Sequence, residues 1–255
     1  VPADGATTRC HRAMTDPARV AGELLREALT RHDIALHGRV QVLHWPQEDA
    51  SYLAGAVELG KVDSPAFGEI LERGLKRSQN LYLQNLLQLA GMQAHAQAVA
   101  DGTAPTGFLG TGAWGLRALD TLLGEIGITP TQARLTEGSG LSRQNLVTAS
   151  ALVQLLQYIA TRPYAVTLHD DLPVAGVDGS LIARMRGTPA EGDVHAKTGS
   201  MTGVSALAGY ATSAGGEHLA FAVILNHDVP PEGAPPPSRT LDAIAELLAT
   251  YRGRP

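Results

Sequence analysis

The strongest constraint on the fold lies near the carboxyl end, where two runs of residues alternate between apolar and small or polar side chains. The runs cover about 203–212 and 218–226, and "SAGGEH" joins them. This alternation is typical of half-buried β-strands, and the short glycine-containing connection predicts an antiparallel hairpin. A Pro-rich loop, "HDVPPEGAPPPS", leads to "RTLDAIAELLATYR", whose apolar spacing predicts a closing helix.

The segments before the hairpin are mainly helical. Asp16 and Pro17 resemble an N-cap and a first-turn proline ahead of a helix. The predicted helical segments are "ARVAGELLREALTRHDI", "DSPAFGEILERGLKRSQNLYLQNLLQLAG" with a break near Ser78 and a stop at Gly91, "AWGLRALDTLLGEIG" ending at Gly127, and "TASALVQLLQYIATR". "GRVQVLHW" alternates like a strand. Helices followed by an antiparallel hairpin and a last helix predict an α/β sandwich of the α+β type, with segregated elements rather than alternating βαβ units.

Composition excludes several classes of partner. The formal net charge is −5, which gives no electrostatic reason to expect nucleic acid or an anionic membrane. No apolar run approaches the roughly 20 residues that span a bilayer. Cys10 is the single cysteine, which excludes an internal disulfide and a zinc site built from several cysteines.

Several familiar functional motifs are either absent from the chain or better explained as ordinary turns and packed side chains. "GTGAWG" at 110–115 fits G-x-G-x-x-G, but no good strand precedes it, so we expect a glycine-rich turn that caps a helix. The nine histidines include no H-E-x-x-H pattern and are expected to be solvated or packed, His95 among them. No serine lies in a G-x-S-x-G elbow, which argues against an α/β-hydrolase.

Two places bring serine and asparagine close together. In "GSGLSRQN", Ser142 and Asn145 are three apart, which favours a helix cap or turn in which short polar side chains satisfy backbone donors. In "KRSQN", Ser78 and Asn80 are two apart, so both can face one cleft, where a hydroxyl can relay a proton and an amide can hold a substrate carbonyl. An ordinary turn or helix cap remains the alternative there.

The closest grouping of charged and hydroxyl side chains lies in "DVHAKTGSMTG" at 193–203, just before the first predicted strand of the hairpin. Lys197 supplies positive charge, and the hydroxyls of Thr198 and Ser200 suit a carboxylate. Gly199 allows a ligand to approach the backbone closely. Taken alone, this segment also fits an ordinary turn before a strand.

The K-T-G segment and the upstream S-x-N pair together are a more specific signal than either of them alone. K-T-G at an antiparallel strand with an upstream S-x-N is the pattern of serine penicillin-recognising enzymes. Through "RSQN", "GSGLSRQN", "LPVAGVDGSLIARM", "HAKTGSMTGVSALAGY" and the last helix, the chain resembles the class C low-molecular-mass penicillin-binding proteins, the D-alanyl-D-alanine carboxypeptidases and endopeptidases. The blocks follow the family's order over roughly residues 60 to 252. The resemblance implies the penicillin-binding protein/beta-lactamase-like transpeptidase fold, an antiparallel sheet flanked by helices.

The resemblance also implies a role for each matching residue. Ser78 looks like the serine that passes a proton to the leaving amine, and Asn80 like the residue that positions substrate. Lys197 would polarise that serine and supply positive potential. Thr198 and Ser200 look like binders of the terminal D-alanine carboxylate, with the Ser200 N–H as one oxyanion donor. "SGLSRQN" would be a structural signature, in agreement with its spacing.

One departure from the family is severe. The chain has three lysines, and none of them has a serine three residues earlier, so the S-x-x-K pair that supplies the acylated serine and a candidate base is absent. The family carries that pair near its mature N-terminus, with a long insertion before S-x-N. Since the chain begins at Val1 and the start is not a signal peptide, we expect the pair to lie upstream. Residues 1–15 would be the tail of that insertion, and 16–255 the C-terminal part of the peptidase domain.

The sequence therefore predicts the C-terminal portion of a serine-type D-Ala-D-Ala carboxypeptidase or endopeptidase, inactive by itself. Its implied partners are peptidoglycan stem peptides ending in D-Ala-D-Ala, beta-lactams as inhibitors, and the missing N-terminal segment. No metal or organic cofactor is expected, and the family's substrate implies a location outside the cytoplasmic membrane. Two alternatives stay open: a non-catalytic relative that binds the peptide, and a beta-lactamase or esterase on the same fold.

Overall fold

The computed structural model describes residues 14–43, 54–58 and 60–253. These residues fall into two compact units that divide between Asp63 and Ser64. Residues 1–13 lie outside the described ranges, so the predicted boundary at 15/16 stays a prediction. Among the residues that the structure describes, no helix combines the length and the apolar composition that crossing a bilayer requires.

In the part of the first unit that the structure describes, the one helix is α1, which runs from Pro17 to Arg31. The carboxylate of Asp16 accepts a hydrogen bond from the Arg19 N–H at 3.1 Å, which confirms the predicted N-cap. The predicted strand "GRVQVLHW" is wrong over residues 38–43, where the chain forms no strand, and its last two residues lie outside the described ranges. Val40 instead packs against Gly22 of α1, and no described strand of this unit offers it a partner.

The second unit begins with a helical region. Its helices are α2 (Phe67–Lys76), α3 (Asn80–Ala100), α4 (Thr111–Ile126) and α5 (Ala149–Ala160). The predicted stop at Gly91 is wrong, because α3 continues to Ala100. A side chain at Gly91 would overlap with the Thr111 carbonyl, so this glycine lets α4 pack closely against α3.

Other predicted helix ends are confirmed. Gly127 follows α4 with φ +87°, a left-handed conformation that favours glycine, and it terminates the helix. Gly110 is the N-cap of α4, and no described strand leads into it, so "GTGAWG" is the predicted glycine-rich helix start. The hydroxyl of Thr148 accepts from the Ala151 N–H and caps α5.

The remaining elements surround an antiparallel sheet. The short pair β1 (Ala133–Arg134) and β2 (Leu146–Val147) precedes α5, and α6 (Ala165–Asp170) and a 3-10 turn (Gly179–Leu181) follow it. The main sheet contains β3 (His195–Met201), β4 (Val204–Thr212) and β5 (His218–Asn226), in that spatial order. The chain ends with α7 (Ser238–Thr250). This mixed α+β architecture confirms the predicted fold class.

The predicted hairpin is confirmed as β4 and β5, but the sequence reading missed β3. The K-T-G segment lies within this edge strand rather than in a turn, and Lys197 pairs with Ala208 across the ladder. One face of the sheet forms the main core with α7, through Ala196, Leu207, Phe221, Leu241 and Ala245. Because side chains alternate along a strand, His195 and Lys197 lie on the opposite face from Ala196.

Candidate active site

The break between α2 and α3 presents Ser78. This residue has φ +53°, a conformation that non-glycine residues rarely adopt. The turn is held by the backbone, since the Gln79 N–H donates to the Gly74 carbonyl at 3.0 Å. Asn80 then begins α3. The interruption of the helical pattern near Ser78 was predictable from sequence, but the left-handed conformation was not.

Lys197 reaches this turn from the edge strand. Its Nζ donates to the Ser78 Oγ at 2.7 Å and to the carbonyl of Thr198 at 2.9 Å. The two side chains are 119 positions apart in the sequence, so only the packing of β3 beside the α2–α3 turn brings them together. Burial lowers the pKa of Lys197, because a desolvated ammonium is less favourable than a solvated one.

Lys76 has a different environment, although it lies two positions before Ser78. Its Nζ donates to a carboxylate oxygen of Asp178 at 2.7 Å and to the Leu172 carbonyl at 2.8 Å. The other oxygen of Asp178 accepts from the Val174 N–H at 2.8 Å. Lys76 therefore anchors α2 to the segment before β3 through a neutralised pair. Lys197 has no carboxylate partner among the described residues.

The free edge of β3 exposes backbone donors. The Ala196 N–H donates to the Pro173 carbonyl at 2.9 Å, which lies outside the β3–β4 ladder. N–H groups alternate in direction along an antiparallel strand, so those of Thr198 and Ser200 point to the same side, away from β4. Gly199 and Ser200 are exposed. This edge can offer its N–H groups to a ligand.

The hydroxyls beside this edge differ in their partners. The Thr198 Oγ1 shares a hydrogen bond of 2.8 Å with the Ser180 Oγ. Asn80 is half-buried, and its side-chain amide has no hydrogen bond to another described residue. Sequence reasoning did not single out Ser180, although it lies within the matched block "LPVAGVDGSLIARM". The structure thus places Ser78, Lys197 and Thr198 in one hydrogen-bonded neighbourhood.

The second serine–asparagine pair, Ser142 and Asn145, makes its hydrogen bonds within its own loop. The Ser142 Oγ accepts from the Gln144 N–H at 3.1 Å, and the Asn145 Oδ1 accepts from the Thr136 N–H at 2.7 Å. The Asn145 amide donates to Glu137 at 2.6 Å. The prediction of a structural turn is confirmed by these contacts.

Glu137 organises that loop, and the sequence reading missed it. Its carboxylate accepts the backbone N–H groups of Ser139, Gly140 and Ser142 at 2.6–3.2 Å. Burial by itself raises the pKa of Glu137, but the hydrogen bonds from Ser139, Ser142 and Asn145 outweigh burial and hold the pKa below its ordinary value. A glutamate followed by glycines and serines was the available signal.

The loop is also tied to the strands around the site. The Arg143 guanidinium donates to the carbonyl of Thr202 at 3.0 Å, in the turn between β3 and β4. The Gly138 N–H donates to the side-chain oxygen of Gln84 in α3 at 2.8 Å. The loop therefore links α3, which begins at Asn80, to the end of the strand that carries Ser200.

The remaining histidines differ in their surroundings. His95 is exposed, and its ring lies 5.1 Å from the Trp114 ring, centroid to centroid, which fits the expected solvated or packed histidine. His169 and His195 instead lie together with Asp170, in the only cluster of potential metal ligands among the described residues. This group stands apart from the contacts of Ser78 and is considered separately below.

Comparison with known proteins identifies the family. The model of the D-Ala-D-Ala carboxypeptidase 3 (S13) family matches residues 1–251. The chain belongs to this family. It is 38% identical over 262 aligned residues to the D-alanyl-D-alanine carboxypeptidase of Actinomadura sp. (strain R39), covering 99% of the chain and 44% of that protein.

A protein from Haemophilus influenzae is similar to the chain in both sequence and structure. The D-alanyl-D-alanine carboxypeptidase DacB of Haemophilus influenzae is 32% identical over 209 residues, covering 81% of the chain and 40% of that protein. The crystal structure of penicillin-binding protein 4 (DacB) from the same organism, in complex with a beta-lactam, superposes with a TM-score of 0.75 at 27% identity, covering 94% of the chain and 53% of that structure. The chain thus spans less than half the length of these two curated relatives.

Proposed function

We propose that this chain forms one wall of the active site of a serine-type D-Ala-D-Ala peptidase of peptidoglycan, which beta-lactams also acylate. The observation that carries the proposal is the 2.7 Å hydrogen bond between Lys197 and Ser78, beside the open edge of β3. Membership of the S13 family supports the reaction class. The beta-lactam bound to the similar penicillin-binding protein 4 supports the inhibitor class.

In this proposal Ser78 and Lys197 relay one proton. An acylating serine gives its hydroxyl proton to the lysine of its Ser-x-x-Lys pair, the candidate base, and attacks the carbonyl carbon of the penultimate D-alanine. As the C–N bond to the terminal residue breaks, the Ser78 hydroxyl gives its proton to the leaving amine and receives the proton held by that base, while Lys197 holds the hydroxyl and supplies positive potential. Water then hydrolyses the acyl-serine and releases the shortened peptide. Asn80 holds the substrate amide, which agrees with its unpaired side chain among the described residues.

The edge strand binds the other end of the substrate. Hydroxyls of Thr198 and Ser200, with the charge of Lys197, suit the terminal carboxylate, and Gly199 leaves room for it. The outward N–H of Ser200 is one oxyanion donor, of a kind that contributes about 3 kcal/mol to transition-state stabilisation. The peptide stem can extend along the free edge of β3, as chains do when they add to a sheet edge.

The nucleophile lies outside these 255 residues, in this proposal. The chain contains no Ser-x-x-Lys sequence, and this pair defines acylation in the family it resembles. The surface of α3 gives independent support: Leu81, Leu89 and Met92 are each more than half exposed. Exposed large apolar side chains gathered on one helix often mark a surface that another segment covers, so we infer that the segment with the nucleophile covers them.

The proposed substrate, peptidoglycan, implies a location outside the cytoplasmic membrane.

Covalent labelling with a fluorescent penicillin tests the proposal. The chain alone should form no stable adduct, whereas a longer product of the same gene that contains Ser-x-x-Lys should be labelled. In that longer protein, Lys197→Ala should slow acylation about 100-fold or more, the scale of a lost proton-transfer group. Lys61→Ala, at an exposed lysine, is the matched control and should not change the rate.

The outcomes separate the alternatives. A stable adduct on the chain alone would show that its nucleophile is among these residues. A gene without Ser-x-x-Lys would favour the non-catalytic peptide-binding relative, which the absence of the motif from this chain also fits. Faster turnover of penicillins or esters than of a D-Ala-D-Ala peptide would favour the beta-lactamase or esterase.

A further inference from the structure

Three ligating side chains meet where α6 ends beside the start of β3. His169 and Asp170 are the last two residues of α6, and His195 is the first residue of β3. One ring nitrogen from each histidine and one carboxylate oxygen all lie within 4.8 Å of one another. The rings of His169 and His195 are stacked with centroids 3.9 Å apart. Residues from two separate elements thus converge on one small volume.

The surrounding hydrogen bonds orient the histidines for metal binding. His195 Nδ1 lies 3.2 Å from the carbonyl oxygen of His169, and an N–H at Nδ1 donates to that carbonyl. This fixes the tautomer and leaves Nε2 with a free lone pair. Metal-ligating histidines commonly have such a partner on the other ring nitrogen. His169 Nδ1 has a corresponding contact of 3.1 Å with Asp170 Oδ1.

The charge state of His195 agrees with this arrangement. Burial, followed by the neighbouring His169, lowers the pKa of His195, and the charge of Lys76 acts in the same direction. The backbone hydrogen bond and Asp170 oppose these effects. A neutral imidazole is the form that binds a metal ion.

We propose that His169, Asp170 and His195 form a binding site for a divalent transition-metal ion of the Zn²⁺ class. Two imidazoles and one carboxylate are a common three-residue ligand set for zinc, with water at the fourth position. Zinc bonds of about 2.0–2.2 Å place ligand atoms about 3.3 Å apart, so the site must contract slightly. Asp170 can move, because its side chain is 67% exposed, and the His169 side chain is 39% exposed.

Metal binding would connect this site to the strand of the proposed cleft. His195 and Lys197 lie on the same face of β3, two residues apart. An ion shared by His195 and α6 would fasten the start of that strand to the helix. The expected consequences are a higher melting temperature with Zn²⁺ and a loss of this increase after chelation.

Cobalt spectroscopy and zinc titration test the site in the 255-residue chain without a histidine tag. Co²⁺ should give the strong visible absorption of four-coordinate cobalt, and Zn²⁺ should displace it at one equivalent. His195→Ala and His169→Ala should each weaken Zn²⁺ binding by more than about 10-fold, the lower end of the cost of losing even a supporting partner. His218→Ala removes an exposed histidine of β5 as the control and should leave binding unchanged.

Circular dichroism establishes whether each variant folds. If the histidine variants do not fold, Asp170→Asn at the exposed carboxylate replaces them and should also weaken binding. The proposal is wrong if the folded chain gives no strong cobalt absorption. It is also wrong if the folded histidine variants, or Asp170→Asn in their place, bind Zn²⁺ as tightly as the His218→Ala control.

Discussion

The two serine–asparagine pairs of this chain contain the same side chains in opposite situations. Around Ser142 and Asn145, backbone groups and Glu137 bind the polar atoms within the loop. At the other pair, Ser78 is held by a half-buried lysine from a distant strand, and Asn80 has no side-chain hydrogen bond to a described residue. The first pair stabilises its loop, whereas the second keeps hydrogen-bonding groups that a ligand can use.

This difference teaches how to separate structural from functional polar residues. When the polar atoms of a pair are hydrogen-bonded within the fold, removing the pair leaves other buried groups without partners and lowers the free energy of unfolding. When a pair keeps unpaired polar atoms and lies beside a desolvated lysine and a strained turn, it contributes little to stability or opposes it. Variants at the two pairs should therefore change different quantities.

The largest effect on stability is expected at Glu137. Glu137→Ala removes the acceptor for three backbone N–H groups and the Asn145 amide. Because hydrogen bonds to charged groups are worth about 1.5–3 kcal/mol, we expect a loss of about 2–3 kcal/mol in urea unfolding. Glu137→Gln keeps an acceptor and should lose less. An unchanged urea midpoint in Glu137→Ala would contradict the proposed role of this residue.

The pH dependence of that loss follows from the lowered pKa of Glu137. A carboxylate whose folded pKa lies below the unfolded value stabilises the fold above the unfolded pKa, near 4.3. This contribution is lost as the pH falls through the folded pKa. The stability difference between the wild type and Glu137→Gln should therefore be constant at neutral pH and shrink below about pH 4.

The two asparagines give a matched comparison of intermediate size. Asn145→Ala should lower the unfolding free energy by about 1–2 kcal/mol, because it removes the acceptor of the Thr136 N–H and one of the donors to the Glu137 carboxylate. Asn80→Ala removes no hydrogen bond to a described residue and should stay within about 0.5 kcal/mol. If urea unfolding shows equal losses of unfolding free energy in the two variants, the proposed difference between the two pairs is wrong.

The strain at Ser78 should appear in a comparison of two variants that both lose the bond to Lys197. The φ of +53° costs a non-glycine residue about 1–2 kcal/mol, so Ser78→Gly should be more stable than Ser78→Ala by about 1 kcal/mol in urea unfolding. Ser142, which is a turn acceptor, is the control position, where Ser142→Gly should be no more stable than Ser142→Ala. Equal stability of Ser78→Gly and Ser78→Ala would show that the turn is not strained.

The smallest effect is a pH-dependent one at Lys197. Its lowered pKa means that the unfolded chain binds more protons between the folded pKa and the ordinary value near 10.4. The wild type should gain stability as the pH rises through that interval, and Lys197→Met should lack this gain. Subtracting the two profiles cancels other titrating groups. A flat difference would indicate a lysine with an ordinary pKa.

Much of the fold could be predicted from the sequence, because local patterns determine it. Alternation gave the β4–β5 hairpin, and caps and glycines gave most helix ends. The failures involve tertiary contacts. Gly91 reads as a helix stop but serves the approach of α4. "GRVQVLHW" alternates without a described strand beside it, and β3 reads as a turn because K-T-G-S lacks large apolar residues.

The candidate site could be predicted only in part. The motifs identified the residue types, and their order supplied the family. No pattern could show that Lys76 pairs with the carboxylate of Asp178, whereas Lys197 donates a hydrogen bond to Ser78. Nor could it show that Ala196 donates away from β4, which sets the direction of the Ser200 N–H. These features depend on contacts between residues far apart in sequence.

The central claim is that the edge of β3 receives a peptide carboxylate with the help of Lys197. Amide chemical shifts of the 255-residue chain, titrated with an N-acylated D-Ala-D-Ala peptide, test it most directly. We predict saturable shifts centred on Thr198 and Ser200, which the L-Ala-L-Ala peptide does not produce and which Lys197→Met abolishes. Shifts centred elsewhere, or retained in a folded Lys197→Met variant, would contradict the account.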